Sequence, residues 1–302
     1  MINRSAINKL LWLGVRTVFG VKYMEIPQER DLIFETRTSN QASEEDVLMV
    51  GTGYAVVQGE GQGVTYDDMS TAWTARYDHE TTALALRISE NAIDDNLYFK
   101  FSAVGGRSLS RSIKLTADLR AINVLNYAVD SSHLYGDGKT LLATDHPLKK
   151  GGTFANTLSA QVDISETALE ELILLMRNAL DDAGLPIRLT PKRLVASNQL
   201  EFELQRLMKS TGRVQTPDND INAIQSLGIF SQPPALLRNV TNSKFWGFTT
   251  EGHDGGLIYY QRRGIRMGDD TDFDTGDFRI KVDVRDSSGV SDPRGFYGCF
   301  PT

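Results

Sequence analysis

Apolar positions recur every three or four residues along SAINKLLWLGVRTVF (5–19), where Ile7, Leu10, Leu11, Val15 and Val18 share one side and Lys9 and Arg16 take another. That spacing predicts an amphipathic helix, with Ser5 placed to cap its first turn. Residues 20–58 carry a short linker and then extended pieces, LIFET and LMVGTGYAVV. After GEGQG (59–63), YDDMSTAWTARYDHETTALALRI alternates with period two over two stretches separated by the polar DHETT. Trp73, Ala75 and Tyr77 fall on one face of the first, and Ala83, Ala85 and Arg87 on one face of the second. The pattern predicts a β-hairpin of about thirty residues. Neither face holds enough large apolar side chains for a core, and such a hairpin is marginal alone in water. It must lie against something else, another subunit being one candidate.

A helical stripe then runs through Leu97, Phe101, Val104, Leu109, Ile113, Thr116, Leu119, Ile122 and Leu125 to Val129, with Asp94 and Asp95 at the end where the macrodipole favours negative charge. A helix of roughly 35 residues would be about 50 Å long, which suggests an elongated molecule. Gly105-Gly106 is expected to bend it. Further on, Asp163 and Glu166 resemble a capping box ahead of the stripe Leu169, Leu172, Ile173, Met176 and Leu180, which Gly184 and Pro186 stop. RLVAS (193–197) reads as a buried strand, and NQLEFELQRLMKS (198–210) as a helix with Asn198 and Glu201 as its box. Beyond 228 the pattern turns to strands: ALLRNV, KFWGFTT, GLIYYQRRGI and FRIKVDVRD.

Composition narrows the function classes. With 302 residues and a net charge of −7, the chain can bury a substantial core but as a whole has no basic footprint for gripping phosphates. Cys299 is the single cysteine, which excludes an internal disulfide and any multi-cysteine metal site. No apolar run approaches the ~20 residues of a membrane span, and LLWLGV lacks a signal-peptide cleavage pattern. The expected compartment is reducing and cytoplasmic.

Chemistry-bearing patterns are few. His79, His133, His146 and His253 are scattered without metal-ligand spacing. Asp145 and His146 adjoin in TLLATDHPLKKGGTFANTLS (140–159), but neighbours in sequence usually point apart, and Pro147 marks a shaped loop. The glycines of GTGYAVVQGEGQG lead into a β pattern and lack the strand-turn-helix setting of a dinucleotide site. DDTDFDTGD (269–277) lacks the ligand spacing of a calcium loop and reads as a solvated turn. No catalytic, cofactor or metal residues are assigned.

Several longer stretches, taken in order, resemble a known family. GVTYDDMSTAWTARYDHETTALALRISENAIDDNLY is similar to an extended hairpin running into a spine helix, and LLATDHPLKKGGTFANTLS to a loop with His-Pro, glycines and a later Asn. LTPKRLVASNQLEFELQRLMKS, DNDINAIQSLGIF, KFWGFTT and DVRDSSGVSDPRGFYGCF follow. The chain resembles major capsid proteins of tailed bacteriophages, of the Hong Kong 97 type and nearest the Mu-like head subunit group.

The resemblance implies an α+β capsid fold divided as follows: an N-terminal arm (1–35), a first peripheral part (36–58), an extended hairpin loop (59–91), a peripheral spine helix (92–135), an axial α/β domain (136–266) and return strands (267–302). It implies a subunit of an icosahedral virion shell of hexamers and pentamers, assembled in the bacterial cytoplasm. Its implied partners are a portal and the double-stranded DNA it encloses without reading sequence; no membrane is involved. His146, Pro147 and Asn156 become loop-shaping residues, and Trp73, Tyr77, Leu10 and Leu11 candidate subunit contacts. Some relatives weld their shells through a hairpin lysine; here none lies between Lys22 and Lys100, so a non-covalent shell is expected. Some carry a fused scaffolding segment ahead of the arm. With the arm reached by Ser5, a separate scaffolding protein is expected here. Two alternatives stand beside this reading, an encapsulin-like nanocompartment and, remotely, a soluble hydrolase using Asp145 and His146.

Overall fold

The computed structural model describes residues 4–94, 98–212, 221–252 and 255–301. The first half comprises α1 (Arg4–Glu25), β1 (Glu35–Thr38), β2 (Ser43–Val50), β3 (Ser70–Asp78), β4 (Glu80–Ile88), α2 (Glu90–Asp94) and α3 (Tyr98–Asn126). The second comprises β5 (His146–Pro147), β6 (Thr153–Phe154), α4 (Glu166–Arg177), β7 (Thr190–Ser197), α5 (Glu201–Lys209), α6 (Ala223–Leu227), β8 (Ala235–Leu237), β9 (Trp246–Glu251), β10 (Leu257–Thr271), β11 (Phe278–Val290) and β12 (Phe296–Cys299). Two four-stranded sheets result, ordered β1-β10-β11-β4 and β12-β9-β7-β8, with two-stranded pairs β2-β3 and β5-β6.

Leu11, Val15 and Phe19, four residues apart on α1, bury one face against Leu109 and Ile113 of α3 and the inward row Phe278, Ile280, Val282 and Val284 of β11. The alternation along β11 is what aims that row at the helices. The two helices approach closely at Gly106, where an added Cβ would lie 2.8 Å from the Val15 carbonyl oxygen. The Gly105-Gly106 pair therefore sits inside a continuous helix and does not interrupt it. At 29 residues α3 is about 44 Å long, shorter than the sequence suggests. Asp95 and Leu97 of the expected stripe lie outside the described residues.

A second core packs α4, through Leu169, Leu172, Ile173 and Met176, on Leu194, Trp246, Phe248 and Tyr297 of the other sheet. Between them, Ile122 and Leu125 of α3 meet Leu141, Val195, Leu237, Phe245, Tyr259 and Phe296. This joint draws on both sheets, so the two halves share one apolar interior. No helix among the described residues is long and apolar enough to cross a membrane.

The expected hairpin is paired differently. β3 does not bond to β4; it pairs antiparallel with β2, and β4 pairs antiparallel with β11. The polar residues between them are a pivot. His79 is buried, its ring nitrogens 2.9 Å from the hydroxyls of Ser39 and Ser287. Arg120 of α3 holds Glu80 (2.7 Å), Thr82 (2.8 Å) and Asp286 (2.6 Å). Ala83, Ala85 and Arg87 do share one face of β4, and it is the solvent face, whereas Leu86 and Ile88 turn to the core. Large side chains one register away won the buried face.

Smaller corrections concern caps and ends. Ser165, not Asp163, caps α4, accepting from the Ala168 N–H; Asp163 pairs instead with Lys244. Asn198 opens a 3-10 turn that Ser197 caps before α5. The division drawn at 266/267 falls inside β10, and the last strand β12 closes the sheet of β7, β8 and β9 instead of returning to that of β10 and β11.

Candidate assembly surface

The paired strands β2 and β3 and the segment 51–69 that joins them form an arm. Residues 51–69 form no regular structure, and the arm crosses them bearing Tyr54, Val57 and Tyr66 at 73%, 94% and 93% exposure. Met49, Val56, Val64 and Met69 are exposed beside them. Glycines at 51, 53, 59, 61 and 63 let the chain turn freely. The base of the arm is tied. Asp67 accepts the Gly53 N–H at 2.7 Å and faces Lys150 at 3.5 Å. Those partners hold its carboxyl below the usual range. An apolar row of this extent, uncovered by its own chain, is the signature of a surface that meets another protein.

Of the four contact candidates, Trp73 is half-buried, and its indole N–H has no partner among the described residues. Tyr77 is a correction: it is buried within the subunit, packed edge-on to Tyr260 at 4.9 Å with its hydroxyl 2.6 Å from that of Ser291. The expectation that it gains burial only on assembly fails because β3 lies over β10. Leu11 is likewise buried in the α1–α3 core, and the side chain of Leu10 lies outside the described ones. Sequence reasoning missed Tyr54, Val57 and Tyr66. Their signal was an aromatic and valine content with no amphipathic period inside a glycine-rich stretch.

The Asp145-His146 pair points apart. Asp145 faces solvent beside Lys139, which lowers its pKa. His146 is fully buried, with Nδ1 at 2.5 Å from Asp137 and Nε2 at 3.1 Å from Oδ1 of Asn156. Asn156, also fully buried, accepts the Ala143 N–H and donates to the carbonyls of Leu141, Pro293 and Phe296. Phe154 stacks on the His146 ring, and the buried Arg294 guanidinium lies 4.4 Å from the centroid of the Phe154 ring. Arg294 in turn meets Asp182 and Asp292. The cluster clamps the 137–156 loop to the C-terminal segment and leaves a substrate nothing to reach. The acidic run 269–277 spans the end of β10 and the turn to β11, and no three ligand-type side chains cluster as a metal site among the described residues. His253 lies outside the described residues.

These features describe a subunit whose polar clusters serve its own architecture and whose apolar arm awaits a neighbour. Comparison with known proteins agrees. The profile of a phage capsid protein family matches residues 71–298, and the chain belongs to that family. Its fold is similar to the procapsid chain of bacteriophage JBD30 (14% identity, TM-score 0.53, covering 100% of this chain and 77% of that one). It is similar also to the capsid of a native GTA particle (11%, 0.55, 91% and 90%) and to a virus-like particle from Pyrococcus furiosus (10%, 0.54, 95% and 98%). In another JBD30 capsid structure the chain spans 65% of the matched protein's length. No curated protein sequence matches. The fold is thus the Hong Kong 97-type capsid fold, and the protein is a structural, capsid-forming one.

Proposed function

We propose that this chain is the major head subunit of a tailed bacteriophage, nearest the Mu-like group, and that its copies close into an icosahedral shell around packaged double-stranded DNA. The observation that carries the reading is the arm: a capsid-family chain holds out Tyr54, Val57 and Tyr66 on a segment its own body does not cover. Laid on a neighbour, each arm adds a contact that is weak alone. Summed over many neighbours at high effective concentration, such contacts make a stable shell. The sheet of β1, β10, β11 and β4 with α1 and α3 would be the peripheral body, and the sheet of β7, β8, β9 and β12 with α4 to α6 the axial one. A net charge of −7 suits a container that confines DNA without condensing it. Portal and scaffolding proteins would be the partners, with assembly in the host cytoplasm, and α1 with its exposed Arg16 and Leu13 is a candidate scaffold contact.

Negative-stain microscopy of the expressed chain, alone and with the adjacent scaffold gene, tests the reading. Closed shells are expected, uniform in size with the scaffold, and native particles should protect DNA from nuclease. One alternative is an encapsulin-like shell around protein cargo. Closed native shells holding protein and no protected DNA would establish it.

A further inference from the structure

The β10–β11 turn ends in an aromatic side chain that touches nothing. Phe273 is 100% exposed, flanked by Asp272 and Asp274. Isolated exposed hydrophobics are ordinary, but this one is held out by a built turn. The Asp272 N–H donates to the Asp277 carbonyl and the Gly276 N–H to that of Asp272, both at 2.9 Å. Gly276 takes φ +68, a left-handed conformation, and Arg279 pairs with the Asp272 carboxylate. A knob fixed in advance loses little freedom on docking.

A matching hollow lies elsewhere on the same chain. Between the end of α1 and the middle of α3 is an open depression of ≈ 460 Å³ with Ile26 and Val104 as apolar lining and Lys22, Arg107 and Arg111 among its charged residues. Its one carboxylate, Glu25, pairs with Lys22. Val104 is 61% exposed, and Arg111 faces solvent. Apolar lining beside the exposed Arg111 complements an aromatic ring that has the exposed Asp274 next to it.

We propose that Phe273, with Asp274 beside it, seats in the α1–α3 hollow of a second copy of this chain. The inference rests on the capsid reading and gives it a specific head-to-tail contact, distinct from the arm. Because knob and hollow are different surfaces of one chain, every copy offers both, and the contact can propagate around a closed shell.

The test co-expresses two variants, Asp274→Cys and Arg111→Cys, and treats the assembled shells with a short bis-maleimide. The native Cys299 is buried and should not compete. Dimers at twice the 33.5 kDa chain mass are expected, and none when Arg111→Cys is replaced by Glu171→Cys on the exposed side of α4. Separately, Asp274→Arg or Arg111→Asp should each lower shell yield at limiting subunit concentration, Phe273→Ala by about tenfold, and the charge swap Asp274→Arg with Arg111→Asp should restore it. Shells that form without the cross-link, or that cross-link only between Asp274→Cys chains, overturn the contact alone. A wild-type chain that never forms shells overturns the capsid reading and this contact with it.

Discussion

Asn156 exposes no atom, and its side chain serves two loops at once. Its oxygen receives Ala143 and His146, and its two N–H groups are shared among three carbonyls. Asn156→Ala would strand all of these inside the protein, so we expect the isolated subunit to lose about 3 kcal/mol or more in urea unfolding. Asn156→Asp should not rescue it, because a carboxylate cannot donate to the carbonyls. Tyr77 and Trp73, two residues apart on one strand, should part company. Tyr77→Ala should cost the subunit about 3 kcal/mol, the usual cost of emptying a buried aromatic site. Trp73→Ala should leave the circular dichroism spectrum intact and impair shell formation. His79 supplies a pH dependence. Burial lowers its pKa from the ordinary 6.5. The unfolded chain therefore binds the proton first, and the stability this site contributes is present above pH 6.5 and is lost as pH falls through the depressed folded value. Subunit unfolding followed from pH 8 to 5 should show that loss, and His79→Gln should flatten this part of the profile.

At the scale of elements, the α1–α3 contact depends on one missing side chain. Gly106 lets the backbones approach so that Leu11, Val15 and Phe19 reach Leu109 and Ile113. Gly106→Val should push α1 away and destabilise by about 1–3 kcal/mol. Thermal unfolding of the subunit reads the effect, and a deletion of α1 in the same background should show no further penalty from the substitution. The sequence marked Gly105-Gly106 as a bend because a glycine pair weakens a lone helix, and it carries no sign of the partner that made close approach worth more. The β3–β4 hairpin shows the same limit. Two alternating runs joined by a polar stretch are what a hairpin looks like, and the pairing partners, β2 and β11, lie upstream of β3 and nearly two hundred residues further on.

For the whole molecule, the proposed function makes assembly depend on the arm. It carries no lysine, and none occurs between Lys22 and Lys100. Boiled and reduced particles should therefore run as a single 33.5 kDa band; a ladder of multimers would show that another amine welds the shell. Shortening residues 52–66 to a tight glycine turn should leave a folded, soluble subunit that no longer closes shells, since Tyr54, Val57 and Tyr66 stand in solvent and the Asp67–Lys150 pair lies outside the shortened stretch.

The helices α1, α3 and α4, the strands β7, β10 and β11, and the order of motifs that marked the capsid family were legible from the sequence alone, because period and punctuation are local properties of the chain. The divergence of Asp145 from His146 was legible for the same reason. What only the tertiary structure decided were the non-local pairings: β2 with β3, β4 with β11, and β12 beside β9. It also decided which apolar residues stay uncovered. Tyr77 and Tyr66 are the same residue type in neighbouring stretches, yet one is buried under β10's tyrosine and the other stands in solvent. Burial depends on what distant segments fold over a residue, and an alternating strand specifies a face without specifying what will lie on it.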